Sequence, residues 1–292
     1  MTIPFFKLQI AGNGFILIDT SAVPELDASA HDITSRLLCD RRYGIGATGV
    51  IFLSPDNTIR IFDKRGIPQH RAADALLCAA RFSFDTGRSS HKRILFKTAR
   101  EELNIDVLGA HEFRLSVGSP FSLLSGALVT ADSTNLTETL ERDGVRTNYT
   151  ALHINEDVVV AHPQGLGILE SRDFTTLVRR AFPDRSVLAV IARPITRDTI
   201  TVSAPYGLCS AVSAAAAAAL VACHTAGMSD RESVVLFGKT RPASQPDESI
   251  IQDRDNSRRL AVTWDSATSD LSVIGTGGYL FEGRFDCELT GL

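Results

Sequence analysis

Apolar and polar positions alternate in short runs along most of the chain, and turn-forming residues separate the runs. Phe5 to Ile10 and Phe15 to Asp19 read as strands split by the turn Gly12-Asn13-Gly14. Val50 to Leu53 and Thr58 to Phe62 read as strands joined through Ser54-Pro55-Asp56-Asn57. Ala72 to Phe84, rich in Ala and Leu, is a predicted helix. Strands are then expected at Arg93 to Thr98, Ile105 to Val107 and Glu112 to Val117.

The pattern restarts after Gly118-Ser119-Pro120. Strands are predicted at Ala127 to Thr130, Ala151 to Ile154, Ser186 to Ala192 and Thr199 to Ser203. Asp173 to Ala181 is a predicted helix that stops at Phe182-Pro183-Asp184. Ser210 to Ala226 is a longer one containing the alanine run Ala214 to Ala219. Thr240 to Arg259 is polar, holds two prolines and reads as a mobile loop. Leu260 to Trp264, Leu271 to Ile274 and Tyr279 to Phe285 complete the strands.

Two stretches follow one plan. Ile59-Arg60-Ile61-Phe62 leads through a loop into the Ala/Leu helix, and Ile200-Thr201-Val202-Ser203 leads through a loop into the Ala helix. Both helices are small or apolar on all sides, which predicts burial all round inside a curved sheet. The chain thus reads as a duplicated α+β fold with a cleft between the copies. Each buried helix would aim its N-terminus at that cleft, where unpaired N–H groups and partial positive charge bind anions and lower a thiol pKa.

The chain has 292 residues, 44% hydrophobic and 22% charged, with a net charge of −4. That balance belongs to a globular protein and gives no basic footprint for nucleic acid. No apolar run is long enough for a bilayer span, and Met1 to Asp19 lacks a secretory pattern. Cys39, Cys78, Cys209, Cys223 and Cys287 form no C-x-x-C pair, so neither a disulfide framework nor a thiolate zinc site is expected. The expected setting is cytoplasmic, without membrane or nucleic-acid partners.

Four collinear segments resemble the diaminopimelate epimerase family. Phe6-Lys7 with Ala11-Gly12-Asn13-Gly14-Phe15 is similar to its opening F-x-K-x-x-G-x-G-N-D-F. Leu38-Cys39-Asp40-Arg41-Arg42-Tyr43-Gly44-Ile45-Gly46-Ala47 is similar to L-C-D-R-x-x-G-I-G-A, and Ile59-Arg60-Ile61-Phe62 to M-R-I-F-N. Gly275-Thr276-Gly277 with Phe281-Glu282-Gly283 is similar to T-G-P…V-F-E-G. The resemblance implies two pseudo-symmetric halves, each a curved mixed sheet around a central buried helix. Residues 1–118, completed by 271–292, would form one half and 119–270 the other. It also implies racemisation at an amino-acid α-carbon without a cofactor, by one cysteine thiolate and one thiol at the two helix N-termini.

This sequence departs from the family at the chemistry. The first catalytic cysteine falls on Ala72, so C-G-N-G becomes Ala72-Ala73-Asp74-Ala75. The second falls on Cys209, in Cys209-Ser210-Ala211-Val212. The Glu-Arg pair that holds the far end of diaminopimelate is replaced within Ala204-Pro205-Tyr206-Gly207-Leu208. One family asparagine becomes Ala189 and another Asp63, while Asn13 and Asn148 remain. A methyl group at Ala72 exchanges no proton, so a symmetric two-thiol mechanism is excluded.

Each candidate has a plain reading beside the chemical one. Cys209 is either a small core residue or a reactive thiol whose helix offers the Ser210 and Ala211 amides to an oxyanion. Asp74 either caps its helix or replaces the missing thiol as acid/base, or meets a substrate ammonium. His70 is a loop histidine two residues before Ala72, either a surface side chain or a proton carrier. Lys64 and Arg71 are solvated charges or carboxylate holders, and Asp63 is a turn cap or a ligand contact. Gly44-Ile45-Gly46-Ala47-Thr48-Gly49 matches G-x-G-x-x-G but precedes a strand, so no dinucleotide site is expected. Cys223 and His224 do not form a metal pair, and Trp264 is assigned to the core.

The expected function is that of a cofactor-independent isomerase or epimerase-like enzyme, acting with a single thiol on an amino acid or amino-acid-derived acid other than diaminopimelate. Cys209, Asp74 and His70 would carry protons. Asn13, Asp63, Ala72, Ala73, Asn148, Ser210 and Ala211 would hold a small amino-acid-like ligand. A degenerate ligand- or partner-binding module, or a dehydratase or lyase, are the alternatives, and a homodimer is possible.

Overall fold

The computed structural model describes residues 1–89, 92–133, 136–142, 145–161, 171–204, 211–238 and 258–287. In chain order the elements are β1 (Thr2–Ile10), β2 (Asn13–Asp19), α1 (His31–Cys39), β3 (Gly49–Leu53), β4 (Ile59–Asp63), β5 (Pro68–Gln69), α2 (Ala73–Asp85), β6 (Arg93–Lys97), β7 (Glu102–Val107) and β8 (Phe113–Gly118). They continue with β9 (Phe121–Ser122), β10 (Thr137–Arg142), β11 (Val145–Ile154), β12 (Glu156–Ala161), α3 (Ser171–Ala181), β13 (Val187–Thr196), β14 (Thr199–Ser203), α4 (Val212–Thr225), β15 (Glu232–Phe237), β16 (Arg259–Trp264), β17 (Leu271–Gly275) and β18 (Gly278–Asp286). The chain divides into two compact units, Met1–Leu115 with Gly275–Leu292, and Ser116–Ile274.

The first unit is built on the strand order β18-β1-β2-β3-β4-β5. The β2–β3 pair is parallel and the other pairs are antiparallel. A parallel pair needs a crossover, and α1 lies in it. Helix α2 packs on β1, β2 and β3, with Ala75, Leu77, Cys78, Ala79 and Ala80 fully buried. Around α1 a second core gathers Ile3, Phe5, Ile16, Ile18, Leu38, Val50, Phe52 and Phe62.

The second unit repeats the plan. The hairpin β11–β12 is antiparallel, α3 lies in the crossover to the parallel strand β13, and β13 pairs antiparallel with β14. Strand β14 then leads toward the second buried helix, α4, as β4 leads toward α2. The strand after each helix also agrees. Strand β15 runs parallel to β14, and Lys97 of β6 bridges in parallel to Thr58 beside β4. The duplication expected from two short segments is therefore a repeat of strand order and strand direction.

Helix α4 is buried from Val212 to Cys223 and touches all the strands from β11 to β16. Alanine has the highest helix propensity and the smallest side chain that still forms a helix well, so the run Ala214–Ala219 lets sheet close round it. Helix α3 instead buries one stripe, Phe174, Leu177 and Val178, and exposes Arg179 and Arg180.

Several expectations need correction. Helix α1 gives no apolar signal because its buried face is largely polar. His31, Thr34 and Ser35 share that face with Leu38 and Cys39, and the His31 ring stacks on Phe52 with centroids 3.7 Å apart. Strand β10, TETLER, is too polar to predict, and β12 and β15 were not expected. The predicted strand Ala127 to Thr130 is only a single bridge between Leu128 and Phe121. The second buried helix starts at Val212 rather than Ser210, with Ala211 as its cap residue. The expected loop from Thr240 lies outside the described residues up to 257, and Arg259 already belongs to β16.

Candidate functional site

A chain of side-chain hydrogen bonds lies buried at the start of α2. The turn Ala11-Gly12, with both residues at positive φ, reverses the chain so that Asn13 opens β2 opposite Ile10. Asn13 is 0% exposed. Its Nδ2 donates to Asp74 Oδ2 at 2.7 Å, and its Oδ1 accepts from Thr48 Oγ1 at 2.5 Å. Thr48 is fixed in turn by its backbone, whose N–H donates to the Gly14 carbonyl and whose carbonyl accepts from the Lys64 N–H. Three segments distant in sequence therefore converge on one side-chain chain, Thr48–Asn13–Asp74.

Asp74 is the second residue of α2 and only 3% exposed. The cap residue Ala72 has φ −69° and ψ 89°, offers no side-chain cap, and accepts the Leu76 N–H at its carbonyl. A carboxylate in the first turn of a helix lies in the favourable end of the helix dipole. The amide of Asn13 adds a hydrogen bond to the charged form. Buried and fixed, Asp74 stands beside Ala72 and Ala73, where the sequence placed the departure from two-thiol chemistry.

The neighbouring candidates fare differently. Asp63 ends β4 and accepts from the Arg65 and Ile67 N–H groups at 2.8 and 2.9 Å, with Arg65 Nε at 2.9 Å. That is the work of a turn cap. Arg71 forms a two-pronged ion pair with Glu101, Nε to Oε1 at 2.6 Å, and holds the Glu101 carboxyl below its usual range. Arg71 is thus already partnered. His70 is half-buried between β5 and α2, and no hydrogen bond joins it to the Thr48–Asn13–Asp74 chain among the described residues.

In the second unit Asn148 lies on β11 and its Oδ1 accepts from Thr139 Oγ1 of β10 at 2.9 Å. Ala211 caps α4 with φ −157°, and its carbonyl accepts the Ala215 N–H. Cys209 and Ser210 lie outside the described residues.

The other thiols are poor chemical candidates. Cys39, Cys78, Cys223 and Cys287 are all buried. Burial pushes Cys39 and Cys223 up to about 12, and Cys78 and Cys287 upward as well. None of the four is a thiolate at neutral pH.

One buried charge had no assigned role in the sequence reading. Lys7 is 6% exposed, and its Nζ donates to the Gly46 carbonyl. Burial lowers its pKa, offset in part by Cys39 and Cys78. The signal was present, since Lys7 shares the inward face of β1 with Ile3 and Phe5.

No family model matches the chain. Diaminopimelate epimerase from Microcystis aeruginosa (strain NIES-843 / IAM M-2473) is 42% identical over 87 residues, 28% of this chain and 30% of that protein. The chain thus spans about a third of the length of this curated relative. Diaminopimelate epimerase from Synechococcus sp. (strain JA-2-3B'a(2-13)) is 26% identical over 295 residues, covering 96% of both. The chain is similar to diaminopimelate epimerases, at an identity that fits a divergent relative. A solved hydroxyproline epimerase from Agrobacterium vitis shares the fold, with a TM-score of 0.62 at 11% identity, covering 97% of this chain and 92% of that one. In this sequence Ala72 caps α2, and a buried carboxylate, Asp74, stands two residues further on. Among the described residues no helix is long and apolar enough to cross a membrane.

Proposed function

We propose that this protein is a cofactor-independent isomerase of amino acids or amino-acid-derived acids that works with one thiol and one carboxylate. The observation that carries the reading is the buried Asn13–Asp74 pair at the start of α2, beside the alanine that replaces a thiol. A carboxylate fixed by an amide and a helix terminus is a competent base when the substrate excludes water. Cys209, at the family's second thiol position, is the complementary proton carrier. The four buried cysteines leave no described competitor for that role.

In the forward step Asp74 takes the α-proton. The C–H electron pair moves onto the substrate carboxyl as an enediolate, and Asp74 becomes a carboxylic acid. The Cys209 thiol then protonates the opposite face of the same carbon and becomes a thiolate. Exchange with solvent restores both groups. The reverse step runs from the thiolate, so the two directions use chemically different bases and should differ in pH dependence. Asn148, Ser210 and Ala211 are the proposed ligand contacts of the second unit. Asn13 is a positioning residue for Asp74, and His70 is the reserve proton carrier.

Diaminopimelate is a poor fit because the Glu-Arg pair expected before Cys209 is absent from Ala204-Pro205-Tyr206-Gly207-Leu208. A substrate lacking the second charged amino-acid end is preferred. The test is a panel of amino acids and hydroxy or N-substituted derivatives in D2O, read by mass for one-unit gain at the α-carbon. Gain that vanishes from one enantiomer in Cys209→Ala supports the reading. A ligand that binds and never exchanges contradicts it.

A further inference from the structure

We infer that Thr48 is a positioning residue for Asp74, acting through Asn13: its hydroxyl holds the acceptor end of the Asn13 amide and so turns the donor end onto the carboxylate. The consequence for turnover rests on the one-thiol, one-carboxylate reading; the hydrogen-bond geometry does not.

An asparagine side chain has a donor end and an acceptor end of similar shape, so the partners at its two ends set its orientation. Asn13 is fully buried. Its Nδ2 donates to Asp74 Oδ2 at 2.7 Å, and its Oδ1 accepts from Thr48 Oγ1 at 2.5 Å. The donors of Thr48 and Asn13 therefore both point toward the carboxylate. A hydrogen bond to a carboxylate is about twice as strong as a neutral one, and a donor placed behind it polarises the amide further. With Asp74 protonated, the chain can run in reverse and Thr48 can accept, but no member of that arrangement is charged. Loss of the hydroxyl thus costs the ionised state more than the neutral one.

Thr48 is held where it can do this. Its N–H donates to the Gly14 carbonyl at 2.9 Å, and its carbonyl accepts from the Lys64 N–H at 3.0 Å. The next residue, Gly49, opens β3 opposite Phe15 of β2 and Asp63 of β4. A Cβ there would lie 2.5 Å from the Phe62 carbonyl oxygen, so the strands are packed tightly at this point. Two residues earlier, the Gly46 carbonyl accepts from the buried Lys7 Nζ. The hydroxyl is thus presented from backbone fixed on both sides, as a preorganised support requires.

Of the strands packed on α2, β1 brings Lys7, β3 has no titratable group, and Asp19 of β2 pairs with Arg88. On α2 itself, Cys78 feels both Asp74 and Lys7. All these groups are kept in the variants below, so their influence cancels in the comparison.

The test is the titration of the Asp74 carboxyl by carbon-13 NMR in the full chain labelled at aspartate, with Asp74→Asn to assign the signal. Thr48→Val removes the hydroxyl and keeps the branched shape, whereas Thr48→Ser keeps the hydroxyl. Unchanged far-ultraviolet circular dichroism confirms folding of each. Thr48→Val is expected to raise the titration midpoint by about one unit, a tenfold change in proton affinity, and Thr48→Ser to leave it near the wild-type value. Exchange from the enantiomer whose α-proton goes to Asp74 should fall about tenfold in kcat in Thr48→Val, with KM little changed, and its acid limb should move to higher pH. A midpoint that Thr48→Val leaves in place, or that Thr48→Ser moves as far, overturns the inference. The titration needs no substrate. A wild type that exchanges no α-proton therefore counts against the proposed reaction, while the NMR midpoints still decide the role of Thr48.

Discussion

Asn13 and Asp74 are separated by 61 residues in sequence and by 2.7 Å between Nδ2 and Oδ2, and both are buried. An amide at the start of a strand thus holds a carboxylate in the first turn of a helix that the strand packs against. Truncating the donor leaves a buried carboxylate short of a hydrogen bond, which is costlier than losing the bond itself. Asn13→Ala should lower stability by about 2–3 kcal/mol. Asp74→Asn should cost less, because its amide oxygen still accepts from Asn13. A double-mutant cycle by urea unfolding should give a coupling of about 1–3 kcal/mol between the two sites. Additive effects would show that the pair is not an energetic unit.

His31 predicts a pH dependence unrelated to the candidate site. Burial against Phe52, helped by the Arg60 charge, lowers its pKa from 6.5 to about 4. Between these values the unfolded chain takes up a proton that the folded chain refuses. Stability from this group is therefore complete above 6.5 and lost as pH falls toward about 4. Urea midpoints measured across this window should fall, and fall less in His31→Leu. An equal slope in both proteins would contradict the assignment.

The thiols should separate into two classes. Cys39, Cys78 and Cys223 are buried, with pKa values pushed far up, so iodoacetamide at neutral pH should leave them unlabelled until the protein unfolds. Cys209 should label first, and a bound substrate should slow it. Peptide mass mapping over time reads this order. Fast labelling of Cys78 ahead of Cys209 would place the reactive sulfur in the wrong helix.

Helix α4 should tolerate no added volume. Ala217 is fully buried, and the helix is in contact with strands β11 to β16. Ala217→Leu inserts three carbons into a packed interior and should cost about 1–3 kcal/mol or more. Thermal unfolding should show the loss, while Arg179→Ala on the exposed side of α3 should change little.

The two buried helices and most of their flanking strands were legible because their residues obey simple rules: period-two strands, Gly and Asn turns, and helices apolar all round. Helix α1 was hidden because the face it buries carries His31, Thr34 and Ser35, whose burial depends on a tertiary partner, Phe52. The Asp74 position was legible, but its partner was not. Nothing local in the sequence pairs residue 13 with residue 74, and only the packing of β2 on α2 brings them together. Asp63 looked equally suited to a ligand or a turn, and its backbone contacts fit the turn. Lys7 entered only as part of the Phe6-Lys7 motif, and its burial on the inward face of β1 emerges from the fold.

The most direct test of one-thiol, one-carboxylate chemistry is α-carbon deuterium exchange in D2O, compared among wild type, Cys209→Ala and Asp74→Asn with the best substrate of the panel. Exchange from one enantiomer should be lost with the thiol variant and from the other with the carboxylate variant, each by about a hundredfold or more. Equal exchange in all three proteins would contradict the mechanism.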